Sequence, residues 1–347
     1  MLTRSHHPQV VTRLRRGVKL WLLVGLLVVL TGASVVLCQV IFAHWPVAPP
    51  AAQRVRIATG TALPQIATQL EQAGVVSDAG RFMRLARWRA AAQKLKAGEY
   101  EFAVAATPAE VLDRLVAGDV IKIRITIPEG FALREIAARI AAAGIGSADQ
   151  FLQLATDPAY ARRLGVTAES LEGYLFPETY TVTTTTGPEE LLRAMTAQFE
   201  RQLTPALLEA GRGHGLDRHD LVTLASIIQK EAGNDGEMPL ISAVFHNRLR
   251  LGMRLQADPT VIYGISDFNG NLTRRDLQTP TPYNTYTRGG LPPGPIASPG
   301  LAALRAAAHP ETSDALYFVS RGDGTHVFST TLTAHNRAVQ RYQLKRR

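Results

Sequence analysis

From Leu20 to Phe42 the chain carries no charged side chain. About 20 apolar residues are enough to cross a bilayer as a helix, so this run predicts a membrane span and not part of a soluble core. Arg4, Arg13, Arg15, Arg16 and Lys19 precede it, an arrangement that keeps the N-terminus cytoplasmic and exports everything after His44. Trp21 and Trp45 stand near the two ends, where amphipathic aromatics favour the headgroup layer. A cleavable signal peptide is the rival reading, but its apolar region spans only about 7 to 15 residues, and no A-x-A site precedes Ala51. The expected arrangement is a single-pass protein of the inner membrane: residues 1–19 cytoplasmic, 20–42 spanning, and 43–53 a Pro/Ala linker extended off the membrane.

In a chain of 347 residues, the part beyond the span is long enough for more than one domain and a core without staples. Cys38, the one cysteine, excludes an internal disulfide framework. The excess of 38 Lys+Arg over 29 Asp+Glu suits an anionic partner. Much of it lies in the residues before the span and in the tail Lys345, Arg346 and Arg347, with no aromatic-interleaved basic stripe, so nucleic acid is not expected as a partner. The nine histidines show no HxH or HExxH spacing, and there is no G-x-S-x-G, so neither a metal site nor a serine nucleophile is expected. No cofactor is implied.

Beyond the linker the chain repeats itself. Gly60, Ile66, Ala67, Leu70 and Gly74 are echoed 70 residues later by Gly130, Ile136, Ala137, Ile140 and Gly144, and Phe82 by Phe151. Each copy opens on an alternating strand, VRIATG or KIRITIPEG, and runs into an amphipathic helix ended by Gly, predicting two modules of strand, helix and helix. LKAGEYEF (95–102) reads as a strand closing the first module, and 108–116 as a helix with Pro at its first position.

Asp220 to Tyr263 carries the chemistry. Asp220 reads as an N-cap, and Leu221, Leu224, Ile228 and Glu231 share one helical face, so a carboxylate continues an apolar stripe up to a stop at Gly233. In the last turn of a helix, half-buried, a Glu is pushed toward its protonated form, as a general acid must be. A solvated Glu at a frayed helix end is the plain alternative. A second helix is expected from Glu237 to Leu251. The run Arg254, Gln256, Asp258, Thr260 and Tyr263 then alternates as if on one edge, where hydroxyls, amides and a carboxylate would hold a sugar.

LEGYLFPETY (171–180) alternates Tyr174, Phe176 and Tyr180 as a strand face would, with Glu172 and Glu178 among them. Thr181 to Thr186 reads as a turn and Pro188 to Glu209 as one long helix. After Tyr263 the chain reads as loop-rich. TPTPYNTY (279–286) and LPPGPIASPG (291–300) hold six prolines between them, a stiff rim for a long groove. LYFVS and THVFS around Gly322-Asp323-Gly324 predict a hairpin, with a last helix from Thr333.

ASIIQKEAG (225–233), VFHNRLRLGMRLQADPTVIYG (244–264), TPYNTYTRGGLPPGPIASPG (281–300) and LEGYLFPETY resemble the motifs of the endolytic murein transglycosylase, or YceG-like, family, over nearly the whole chain from Val55. The resemblance implies an α+β fold: LysM-like small modules, one over 54–120 and its pattern repeated at 121–165, within a mixed α+β catalytic domain, 121–347, that bears a glycan-binding groove. It implies cleavage inside peptidoglycan glycan strands, with Glu231 as the catalytic residue; relatives often carry Glu where this chain has Gln229, which leaves Glu231 as the indispensable carboxylate. Residues expected to contact the glycan are Glu172, Tyr174, Asn247, Gln256, Asp258, Thr260, Tyr263, Asn284, Tyr286 and Ser298. In such an enzyme the C6 hydroxyl of muramic acid attacks the anomeric carbon, so one Glu serves as acid and then as base and a 1,6-anhydro end results. A muramidase using a second carboxylate, Asp258 or Glu237, and a non-catalytic glycan-binding scaffold remain as alternatives. Expected partners are the glycan strand, the membrane and peptidoglycan synthases.

Overall fold

The computed structural model describes residues 9–49 and 51–344; Arg4, Lys345, Arg346 and Arg347 lie outside them. It divides into two compact units, Met1–Lys122 with Thr183–Thr185, and Ile123–Val182 with Thr186–Arg347.

The first unit begins with α1 (Gln9–His44), which contains the apolar segment Trp21–His44, long and apolar enough to cross a membrane. Then come β1 (Gln53–Ile57), α2 (Leu63–Gln72), α3 (Ala79–Trp88), β2 (Gly98–Phe102) and α4 (Pro108–Ala117). The strands pair antiparallel, Gln53 opposite Phe102 and Ile57 opposite Gly98. Alternation turns Val55, Ile57, Tyr100 and Phe102 inward onto Ile66, Leu70, Phe82 and Leu85. Helix α4 starts where the sequence signals it: Thr107 Oγ1 accepts from Glu110 N at 3.2 Å, and the Glu110 carboxylate accepts from Thr107 N at 2.8 Å. The expected free linker is overturned in part. Phe42 and Ala43 are buried in the core of this unit, and Val47 bridges to Ala106, so the chain enters the fold as soon as α1 ends.

The second unit holds β3 (Lys122–Thr126), α5 (Leu133–Ala142), α6 (Ala148–Ala155), α7 (Pro158–Arg163), β4 (Thr179–Thr183), α8 (Pro188–Gln202), α9 (Pro205–Gly213), α10 (Arg218–Glu231), α11 (Met238–Arg250), α12 (Asp258–Tyr263), α13 (Arg274–Gln278), α14 (Leu301–Ala308), β5 (Tyr317–Ser320), β6 (His326–Ser329) and α15 (Leu332–Val339), which ends in a π-type turn, Gln340–Leu344. The repeat is real at the level of burial, since Ile136, Ala137, Ile140 and Phe151 are as buried as Ile66, Ala67, Leu70 and Phe82. The copies differ in closure. Where β1 pairs with its own module's β2, β3 pairs with the distant β4.

Helix α10 is the axis of this unit. Residues Leu221 through Ile228 are all buried, so the expected single stripe is in fact a helix surrounded on every side. It packs against α14, whose small side chains (LAALRAAA) permit close approach, and beside α11. One buried hydroxyl ties it to the chain before α14: Ser226 Oγ donates to Thr223 O at 2.7 Å and accepts from Ile296 N at 3.0 Å.

Several expectations of detail are corrected. Asp217, not Asp220, is the N-cap, accepting from Asp220 N at 2.8 Å, and Asp220 is the third helical residue. The expected helix Pro188–Glu209 is two helices, because Thr204 caps a new one that opens on Pro205. The expected strand face at Tyr174 and Phe176 is an irregular, buried turn, and only Thr179–Thr183 is strand. The run from Arg254 to Tyr263 does not alternate throughout, since α12 begins at Asp258 and turns Thr260 inward. Helices α13 and α14 lie in the stretch expected to be loop.

Candidate active site

Glu231 is the last residue of α10, and the chain leaves the helix in extended conformation at Ala232. It opens into a cavity of about 470 Å³ whose other walls come from Arg248 of α11, the segment Leu255–Asp258, Tyr286, the β5–β6 hairpin (Tyr317 to Ser320, and His326) and α15 (Leu332, His335, Asn336 and Val339). The turn after Glu231 is clasped to the hairpin. Asn234 Nδ2 donates to Gly324 O at 2.9 Å, and a Cβ on Gly233 would stand 2.4 Å from that same oxygen. Glu237 accepts from His326 N at 2.9 Å and pairs with His326 Nδ1 at 2.8 Å. The carboxylate and the hairpin wall are thus fixed by the same few residues.

Burial pushes the pKa of Glu231 from 4.5 to about 8; the Asp258 charge adds to the rise, and Arg248 opposes it. The carboxyl therefore holds a proton at neutral pH. Asp258 accepts from the Tyr286 hydroxyl. Arg248 is spent on the wall: Nε donates to Leu316 O at 2.7 Å, and Nη1 to Leu255 O at 2.7 Å and Arg254 O at 3.3 Å, with the guanidinium 5.2 Å from the Tyr317 ring centroid. His335 stacks on Tyr317 at 5.2 Å, and its Nδ1 is buried without a partner among the described residues. Gln256 has φ +51, the left-handed region that a side chain avoids at a cost of about 1–2 kcal/mol, and its backbone N donates to Thr285 O at 3.2 Å.

Of the residues named from sequence, Glu231, Gln256, Asp258 and Tyr286 meet at this cavity. The others are placed elsewhere. Glu172 is 5% exposed and accepts from Leu133 N, at the start of α5, and from the Tyr263 hydroxyl at 3.1 Å. Burial raises its pKa to about 7. The Tyr174 hydroxyl meets the half-buried His219 Nδ1 at 2.8 Å, away from this cavity. Asn247 Nδ2 donates to Ser313 O at 2.7 Å and Ala315 O at 3.1 Å, tying down the chain before β5. Thr260 bonds to Ala257 O at 2.7 Å and to the Thr285 hydroxyl at 2.8 Å. Asn284 donates to Asp276 O, Leu277 O and Thr279 O, and accepts from Tyr286 N, which shapes the Pro-rich loop. Ser298 is fully buried, its backbone bonded to Phe131 and Gly130. Gln229 does not line the cavity and accepts from Gly300 N at 2.9 Å. Arg248, Tyr317, His326 and His335 were not foreseen. The FHNRL and hairpin stretches held the first three and the last helix held His335, but nothing local says that this C-terminal helix closes over Glu231.

Fold and site together define a class: a mixed helix-and-sheet protein with one N-terminal apolar helix and a proton-holding carboxyl at a helix end. More narrowly, the chain belongs to the YceG-like family, whose pattern matches residues 55–341. It is 32% identical over 304 residues to a Bacillus subtilis (strain 168) protein named endolytic murein transglycosylase, covering 83% of this chain and 84% of that one. A protein of the same name from Streptococcus pneumoniae (D39) is 29% identical over 317 residues, which span 82% of this chain and 57% of the longer relative. The crystal structure of a YceG-like protein from Listeria monocytogenes superposes with a TM-score of 0.59 at 32% identity, covering 82% of this chain and 98% of that one.

Proposed function

We propose that this chain is a membrane-anchored endolytic transglycosylase of peptidoglycan, with Glu231 as its acid and base. The observation that carries the reading is the carboxyl of Glu231, protonated up to about pH 8 on the wall of a cavity large enough for sugar. Its proton goes to the glycosidic oxygen as the bond from the anomeric carbon of MurNAc to that oxygen breaks. The carboxylate so formed takes the proton of the C6 hydroxyl, whose oxygen bonds to the same carbon. One C–O bond breaks and one forms, no water enters, and a 1,6-anhydroMurNAc end remains. In this reading Gln256 and Tyr286, on the same cavity, steady the developing charge, and the Tyr286 hydroxyl, donating to Asp258, orients that carboxylate.

In this reading the cavity is the cutting point of a groove along the second unit. The strand-helix-helix-strand module at 54–120 is LysM-like and grips N-acetylated sugar. The N-terminus lies in the cytoplasm and the fold faces the cell wall from the inner membrane, where the enzyme ends nascent strands beside the synthases. Asp258, a second carboxylate on the same cavity, favours one other reading, a muramidase that uses water. Products of purified glycan strands separate the two by mass. New ends lighter than hydrolysed ends by one water, absent with Glu231→Gln, support transglycosylation; reducing ends dependent on Asp258 support hydrolysis; strand binding without products from the wild type supports a scaffold.

A further inference from the structure

A separate cavity of about 230 Å³ lies in the first unit, between the end of α1 and α3, lined by Ser34, Val35, Cys38, Gln39, Arg81 and Arg84. The two helices are held together here: Gln39 Nε2 donates to Arg81 O at 3.0 Å, and the Arg81 guanidinium lies 5.9 Å from the Phe42 ring centroid. Phe42 and Ala43, 5% and 1% exposed, are core residues of the module. Helix α3 therefore rides on the last turns of α1.

The depth of those turns comes from length. The apolar segment Trp21–His44 has 24 residues, or about 36 Å at about 1.5 Å per residue, against a hydrocarbon layer of about 30 Å. The sequence puts basic residues before it, at the end expected to face the opposite surface. The surplus falls toward His44, and the residues from Gln39 on, with the start of α3, stand at the depth of lipid headgroups. Trp45 and Trp88, 69% and 66% exposed, are the side chains expected at that depth.

The charge there is one-sided. Helix α3 carries Arg81, Arg84 and Arg87 and no acidic residue. The nearest carboxylates are occupied: Asp78 accepts from Arg81 N at 2.7 Å and pairs loosely with Arg81 Nε at 4.0 Å, and Glu71 accepts from Ala79 N at 3.2 Å. Arg84 is exposed and makes no ion pair among the described residues. Two guanidinium forks lining one cavity with the exposed Val35 and Cys38 match a phosphodiester with an acyl chain beside it.

Resting on the reading of α1 as an anchor, we infer that Arg81 and Arg84 bind the phosphate of an anionic phospholipid, whose acyl chain lies along Val35 and Cys38, and so hold the first module against the bilayer surface. A zwitterionic lipid brings its own ammonium to the site and binds less well. The test uses the full chain in nanodiscs of mixed phosphatidylglycerol and phosphatidylcholine, with retained lipid read by native mass spectrometry as detergent strips the rest. Phosphatidylglycerol is expected to be retained roughly fivefold or more over phosphatidylcholine. Arg81→Gln/Arg84→Gln should lose that preference, Arg81→Lys/Arg84→Lys should keep most of it, and millimolar inorganic phosphate should leave the lipid in place. Equal retention of the two lipids, the same preference in the Gln variant, or displacement by inorganic phosphate would overturn the headgroup site alone. A chain that fails to enter nanodiscs would overturn the anchor along with it.

Discussion

Glu231 and Asp258 make the sharpest statement about single residues. In the proposed reaction Glu231, with its pKa near 8, enters protonated across the neutral range, so turnover should fall as pH rises through about 8. Asp258→Asn removes a charge that holds the value up, and should move that fall toward lower pH while leaving activity measurable; complete loss of activity would point to a hydrolase that needs both carboxylates. The same shift acts on stability. Folded, Glu231 keeps its proton to about pH 8, whereas unfolded it loses it near 4.5, so the folded chain binds more protons in between and stability falls as pH rises through that window. Glu172 adds a fall of the same sign between 4.5 and about 7. Glu231→Gln should flatten the decline in Tm from pH 5 to 8 but not abolish it, and an unchanged slope would mean that Glu231 is solvated. Gln256 offers a different signature. Glycine relieves its positive φ, so Gln256→Gly should hold or raise Tm while lowering turnover. A drop in both would assign that side chain to the fold.

At the scale of elements, α10 carries the argument, because one end of it is Glu231 and the rest is core. Ser226→Ala leaves Ile296 N buried without an acceptor and should cost about 1–3 kcal/mol in denaturant melts. A neutral result would mean that the strap before α14 does not depend on this bond. The helix itself was legible in sequence to within a few residues at its start, as were α4 and the hairpin, because capping pairs, Pro at first positions and the Gly-Asp-Gly turn are local signals. Helix α14 was not. Its LAALRAAA has no amphipathic contrast to read, being buried on most sides, and it comes after a Pro-rich stretch that says loop. The same limit explains the site. Gln256, Asp258 and Tyr286, which flank the stretch around Glu231 or a conspicuous loop, line the cavity, whereas Glu172, Asn284 and Ser298, expected as sugar ligands by type, do not. Leu133 and Phe131, which bond to Glu172 and Ser298, are segments whose nearness only the tertiary fold creates, and Asn284 is taken up by carbonyls of its own loop, a local pattern that residue type does not disclose.

For the molecule as a whole, the chain reads as an anchored enzyme whose first unit begins inside its own N-terminal apolar helix. Cutting the chain before residue 46 removes Phe42 and Ala43 from that unit's core, and the truncated protein should show a lower Tm for the first unit than one cut before Gln39. Equal melting would say that those side chains belong to the lipid phase. The chemistry of the second unit has a more decisive test. Glycan strands digested by the full-length chain in water enriched in heavy oxygen should give new anhydro ends that carry none of the label, with at least about a hundredfold loss of cutting in Glu231→Gln. Label appearing at the newly made ends, at a rate that tracks cutting, would contradict attack by the sugar's own hydroxyl and make the enzyme a hydrolase.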